Sequence, residues 1–200
     1  MATNNKKEQQ AKNTKLGETV LLYIHDLAYL IAVMMIVFLF IFRVVVVSGE
    51  SMNNTLLDGD YLLLLSNVFY KDPQQSDIIV ASKDSFENGV PIVKRVIATE
   101  GQTVDIDFVR CIVYVDDKPL DEPYISTLTS NFEGVHFPLT VDDGCVFVLG
   151  DNRLVSCDSR DPAIGLLDER EILGKAIFLF LPGTNRGTVN RDFSRIGVMP

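Results

Sequence analysis

The chain has 200 residues, 47% of them hydrophobic, and carries 27 Asp and Glu against 18 Lys and Arg for a formal net charge of -9. Two histidines and three cysteines are too few for a His-rich metal centre or a disulfide-dense scaffold. Acid outweighs base more heavily still over residues 48–200, 24 against 13, which excludes the basic face that nucleic-acid phosphates demand.

Residues 1–19 are polar, with TNNKKEQQAKNTK in their middle, and are expected to form a disordered tail. From Val20 to Phe42 the chain is apolar apart from His25 and Asp26, and Leu27 to Phe42 is unbroken. As a helix, residues 20–42 would be roughly 34 Å long, enough to cross a hydrocarbon core of about 30 Å. A cleaved secretory signal would have a shorter apolar region ending in small residues. Here the run leads into Arg43 and four valines with no A-x-A-like triplet, so an uncleaved transmembrane anchor is expected. Lys6, Lys7, Lys12 and Lys15 precede it with only Glu8 among them. By the positive-inside rule the N-terminus is cytoplasmic and residues beyond Arg43 face outward.

After the anchor, short β-branched runs alternate with turn signals: YLLLLSNVF, DIIVAS, IVKRVIAT, VDIDFVRCIVYV, CVFVLG and AIFLFLP. Such runs bounded by Gly, Pro and Asp predict strands, and no long 3.6-residue period follows the anchor. The expected fold is an all-β domain of bent antiparallel sheets at 43–182, with DPQQS, KDSFENG and STLTSNFEG as projecting loops. A turn-rich tail occupies 183–200. Cys111 and Cys145 could form one bridge on the outer face; small packing residues are the plainer reading of all three cysteines.

Ser51, in SGESM eight residues beyond Phe42, is a nucleophile candidate placed for chemistry at the bilayer surface. A Ser-His-Asp triad would have to use His136, in the loop EGVHFP, which has no accompanying motif. A lysine base is the alternative, and it must be neutral, because a protonated ammonium has no lone pair. Burial among apolar side chains disfavours the charge and lowers a lysine pKa. In PIVKRVIA, strand alternation puts Lys94 on one face with Ile92 and Val96 and sends Val93 and Arg95 to the other. Lys175, in GKAIF, is the nearest rival. An ion-paired or snorkelling strand lysine explains Lys94 as well, so pattern alone leaves its role open.

GDNRLVSCDSRD, Gly150 to Asp161, follows the strand CVFVLG. Its density of short polar side chains predicts a structured loop, and its two Arg and three Asp suggest a network bonded within itself.

With these segments in order, SGESMNNTL, DGDYLLL, VKRVIATEG and GDNRLVSCDSR, the chain resembles the bacterial type I signal peptidases of the Gram-positive kind. These are membrane-bound Ser/Lys proteases that remove signal peptides from exported proteins. The resemblance runs from the anchor to about Pro182 and includes VYVDDKPLDEPYI. It implies Ser51 as nucleophile and Lys94 as general base, with Ser156 holding the lysine amine. Asp158 and Arg160 correspond to the pair that braces the catalytic loop, Asp151, Asn152 and Arg153 to its lead-in, and Met52 to a residue of the substrate cleft. The Ser51 N–H would belong to an oxyanion hole, and Gly49 stands where another branch has a serine donor. Asn54 replaces the family's usual proline, and Ala98 to Gly101 replaces its Gly-Leu-Pro-Gly-like turn. The implied substrates are preproteins with small residues before the cut, the implied surroundings a lipid bilayer and the secretion machinery, with no metal or cofactor. A related Ser/Lys protease dedicated to one partner or to its own cleavage fits the same residues.

Overall fold

The computed structural model describes residues 2–184 and 190–199. The chain divides into two compact units at the Ile41–Phe42 junction. The first is a single helix, α1 (Ala2–Ile41). Its segment Thr19–Ile41 has a mean hydropathy of 2.4 with none of its side chains buried, long and apolar enough to cross a membrane. Where the sequence suggests a disordered tail over 1–19, the backbone is helical from Ala2. Ala, Lys, Glu and Gln are good helix formers, and adding turns to an existing helix avoids a second nucleation.

The second unit is built from strands. A large sheet contains β1 (Phe42–Val46), β2 (Tyr61–Ser66), β3 (Ile78–Ala81), β4 (Ile92–Thr99), β9 (Cys145–Leu149), β10 (Leu167–Asp168), β11 (Ile172–Leu181) and β12 (Gly197–Val198). Their order is β1-β2-β11-β3-β4-β9-β10, with β12 also on β11, and every pair is antiparallel. A smaller sheet, ordered β7-β6-β5-β8, holds β5 (Thr103–Asp107), β6 (Ile112–Val115), β7 (Lys118–Pro119) and β8 (Leu139–Thr140). Register shifts between Ile172 and Gly174, Ala176 and Phe178, and Val96 and Ala98 interrupt the ladders of the large sheet. Each adds a residue on one strand, which bends it and tightens its twist. The expected all-β fold of bent antiparallel sheets is the one observed.

Two details go beyond the sequence reading. Phe42, read as the last residue of the anchor, opens the edge strand β1, and Arg43–Val46, placed in the β domain without an assigned strand, continue it. The VDIDFVRCIVYV run is two strands, because Asp107 accepts the N–H groups of Val109 and Arg110 and turns the chain back.

The apolar faces meet in three clusters. The first gathers Val47, Met52, Leu56, Leu62, Leu64, Ile78, Val80, Ala176 and Leu179. The second lies between the smaller sheet and the residues Ile97, Ala98, Phe147 and Leu149. The third holds Ile79, Ala81, Val96, Val146, Val148, Ile164, Leu167 and Ile172. Strand β3 supplies alternate residues to the first and third clusters and is buried throughout. Its partner β4 is therefore fixed on a dry, rigid support.

Candidate active site

Ser51 lies in the connection from β1 to β2. That connection is closed at its base by Val47 N–H on the Asp60 carbonyl and Gly59 N–H on the Val47 carbonyl, both 2.8 Å. Inside it, Gly49 has φ +95, a region L side chains avoid, and gives its N–H to Asp58 Oδ1 at 2.9 Å. Gly49 thus has no N–H left for a substrate. The N–H of Ser51 donates to no acceptor among the described residues.

Lys94 stands opposite Ile79 in the β3–β4 register. Ile92 and Val96 share its face and pack in the third cluster, while Val93 packs against the first, as strand alternation requires. The lysine is 4% exposed, and its Nζ reaches Ser51 Oγ at 3.0 Å. Burial pushes the amine pKa down, opposed by the Asp158 carboxylate and helped by the Arg160 guanidinium. An amine that loses its proton easily, within hydrogen-bond distance of a hydroxyl, can act as a base toward it. His136 meets the ring of Phe132 and bonds neither residue. Lys175 is tied to Asp77 at 2.5 Å.

The segment from Gly150 to Asp161 packs directly on Ser51. Asn152 donates its N–H to the Ser51 carbonyl at 2.9 Å and its Nδ2 to the Glu50 carbonyl at 3.1 Å. Asp158 grips Arg160 through both carboxylate oxygens at 2.8 and 2.9 Å and accepts the Gly150 N–H at 3.0 Å. Arg160 continues to the carbonyls of Arg153 and Ser156 at 2.7 and 3.3 Å. The Ser156 hydroxyl is buried and makes no hydrogen bond among the described residues, to Lys94 or to any other group. A Cβ on Gly150 would stand 2.2 Å from that hydroxyl, so the position is reserved for glycine.

The network is not confined to the loop. Asp151 pairs with Arg95 at 2.8 and 2.7 Å and accepts the Thr55 hydroxyl. Arg95 also lies 4.0 Å from the Tyr124 ring centroid. Arg153 donates to the Gly150 carbonyl at 2.8 Å, to Thr129 Oγ1 at 2.6 Å, and to Glu122. Arg160 pairs with Glu133 at 3.3 Å, whose carboxyl is pushed up to about 7 by its own burial. The STLTSNFEG segment is therefore folded against the Gly150–Asp161 loop instead of projecting: Thr127 and Asn152 form an isolated bridge and bond through their side chains at 3.0 Å.

Ser51, Lys94, Asp151, Asn152, Arg153, Asp158 and Arg160 are thus brought together. Met52 is set behind them, 1% exposed in the first core cluster, with no face toward solvent. Sequence reading missed Arg95, Glu122, Tyr124, Thr129 and Glu133. Adjacency to Lys94, together with one more Asp than Arg in the loop, was the signal for Arg95; the others left no signal in the sequence. All three cysteines are free thiols, so Cys111 and Cys145 do not pair. Among the described residues no cluster of metal-ligating side chains occurs.

A family model described as "Signal peptidase, peptidase S26" matches residues 20–181. A signal peptidase I of Bacillus licheniformis is 32% identical over 86% of this chain and 95% of its own length. Signal peptidase I T of Bacillus subtilis is 35% identical over 72% of this chain and 76% of its own length. A solved signal peptidase I from Enterococcus faecalis superposes with a TM-score of 0.43 at 32% identity, covering 52% of this chain and 97% of that one.

Proposed function

The chain belongs to the signal peptidase family, peptidase S26, and we propose that it cleaves signal peptides from exported preproteins with Ser51 as nucleophile and Lys94 as general base. The observation that carries this reading is the 3.0 Å contact between Ser51 Oγ and a buried lysine amine. In the deprotonated amine, the lone pair accepts the Ser51 proton as Oγ attacks the scissile carbonyl carbon. Negative charge develops on the carbonyl oxygen, and the unengaged Ser51 N–H is available to stabilise it. As the intermediate collapses, the carbon–nitrogen bond breaks and the ammonium of Lys94 gives its proton to the leaving amine. Water, deprotonated by the same lysine, then attacks the acyl-enzyme ester and releases Ser51.

The apolar segment of α1 supports a single membrane anchor, and the lysines before it support a cytoplasmic N-terminus with residues 43–182 outside. Preproteins emerging from the secretion machinery would meet the site at the outer membrane surface. Incubating the purified protein with a secretory preprotein tests the dyad. Cleavage should vanish in both Ser51→Ala and Lys94→Ala, and its survival in either removes that residue from the mechanism.

A further inference from the structure

Arg195 lies far from Ser51 in sequence, yet it bonds directly to the loop that carries the nucleophile. Its guanidinium donates from Nη1 to Asp60 Oδ1 at 3.0 Å and from Nη2 to Asp60 Oδ2 at 2.7 Å, and again from Nη2 to the Thr55 carbonyl at 3.2 Å. Asp60 is fully buried. Its carboxylate also accepts the N–H of Leu57 at 2.7 Å and of Gly183 at 2.6 Å. A buried carboxylate holding a guanidinium in two-point geometry is strongly perturbed when the cation is removed.

The segment around Arg195 is itself built to deliver it. Asp192 accepts the N–H of Ser194 at 3.0 Å and caps the short turn Phe193–Arg195. Beyond the turn, β12 pairs with Phe178 and Leu179 of β11, and the Met199 N–H bonds the Ile177 carbonyl at 3.0 Å. The Met199 side chain packs against the cluster that contains Val47, Met52 and Leu56, residues on both sides of Ser51.

From Thr55 the contacts continue to the base. The Thr55 carbonyl is held by Arg195 and its hydroxyl by Asp151, and Asp151 is paired with Arg95, the residue after Lys94. One residue of the Ser51 loop is therefore held from two directions, by the C-terminal segment and by Asp151, which is itself anchored to the residue after the lysine. We propose that Arg195 is a positioning residue and that the segment Asp192–Met199 clamps the Ser51 loop so that the hydroxyl stays at the Lys94 amine. This rests on the Ser51–Lys94 reading above.

The test uses the full chain in detergent with a purified secretory preprotein, measuring kcat and KM separately for wild type, Ser51→Ala, Arg195→Ala and Arg195→Lys. Since displacement of a reacting group by about 1 Å can cost on the order of 100-fold in rate, Arg195→Ala should lose at least about tenfold in kcat with KM within about twofold. Arg195→Lys should recover only part, because one ammonium cannot reproduce a fork to a carboxylate and a carbonyl. Millimolar methylguanidinium should raise the kcat of Arg195→Ala and leave Ser51→Ala inactive. A folded Arg195→Ala with wild-type kcat, or a loss that methylguanidinium leaves untouched, overturns the clamp. If Arg195→Ala does not fold, Arg195→Lys decides: unchanged kcat overturns the proposal, and reduced kcat at constant KM supports it. Cleavage surviving in Ser51→Ala removes the dyad itself, whereas an inactive Ser51→Ala beside a fully active Arg195→Ala removes only the clamp.

Discussion

Lys94 must be buried to act as a base, and burial sets it against the stability of the fold. Its folded-state pKa is depressed by desolvation, so the unfolded chain binds more protons wherever pH lies between the folded and unfolded values. Stability in that window rises with pH. Two measurable consequences follow from one group. The rate of cleavage should climb as pH rises through the depressed lysine pKa and then level off, since only the neutral amine accepts the serine proton; a flat profile from mildly acidic to alkaline pH contradicts this. Lys94→Met should abolish cleavage yet raise the thermal midpoint at neutral pH, because an apolar chain of similar length replaces one that must give up its charge to be there. Unfolding scans at neutral and alkaline pH would show the gain shrinking as pH rises.

Among the elements, the Gly150–Asp161 loop shows what local sequence conveys and what it does not. Its polar density marked it as ordered, and Asp158 with Arg160, two residues apart, could be paired by inspection. The partners of Arg153 and Asp151 could not, because Glu122 and Arg95 lie 31 and 56 positions away. Nothing in a linear pattern assigns one carboxylate to one guanidinium over such gaps. Strands β2, β3, β4 and β9 were legible from their β-branched runs and turn residues. Edge strand β1 was not, since a valine run after an apolar helix has the same composition as more helix. Two substitutions gauge the loop. Arg160→Ala would leave Asp158 buried without its cation and should cost about 3–5 kcal/mol of stability by urea unfolding, against nearly nothing for an exposed arginine. Gly150→Ala would drive a methyl group into the Ser156 hydroxyl and the Ser51 carbonyl, and should cut kcat by about tenfold or more, since the carbonyl it meets belongs to the proposed nucleophile.

At the scale of the molecule, the residues proposed to be catalytic all belong to the unit from Phe42 onward, which has its own sheets and core clusters. A protein lacking residues 2–41 should therefore fold and cleave a soluble peptide spanning a signal cleavage site at a rate near that of the full chain. Its cleavage of a preprotein in lipid vesicles should fall, because the anchor confines enzyme and substrate to one surface. Equal losses on both substrates would mean that α1 contributes to the site itself. The class of fold and the apolar N-terminal helix could be read from composition and spacing, and the proposed dyad rests on the order of four segments. The long-range ion pairs that hold them, Arg95 to Asp151, Arg153 to Glu122 and Arg195 to Asp60, became visible only once the chain was folded.

The Asp60–Arg195 contact also bears on timing. The two residues are 135 positions apart, and closing so long a loop comes late in folding. A chain delivered N-terminus first has Ser51 and Lys94 in its covalent sequence well before Arg195 arrives. Until then Asp60 lacks the guanidinium that meets it in the folded unit, and the Ser51 loop lacks that contact. Under the clamp proposed above, a chain not yet delivered through residue 195 would cleave at a reduced rate, and full activity would await Arg195.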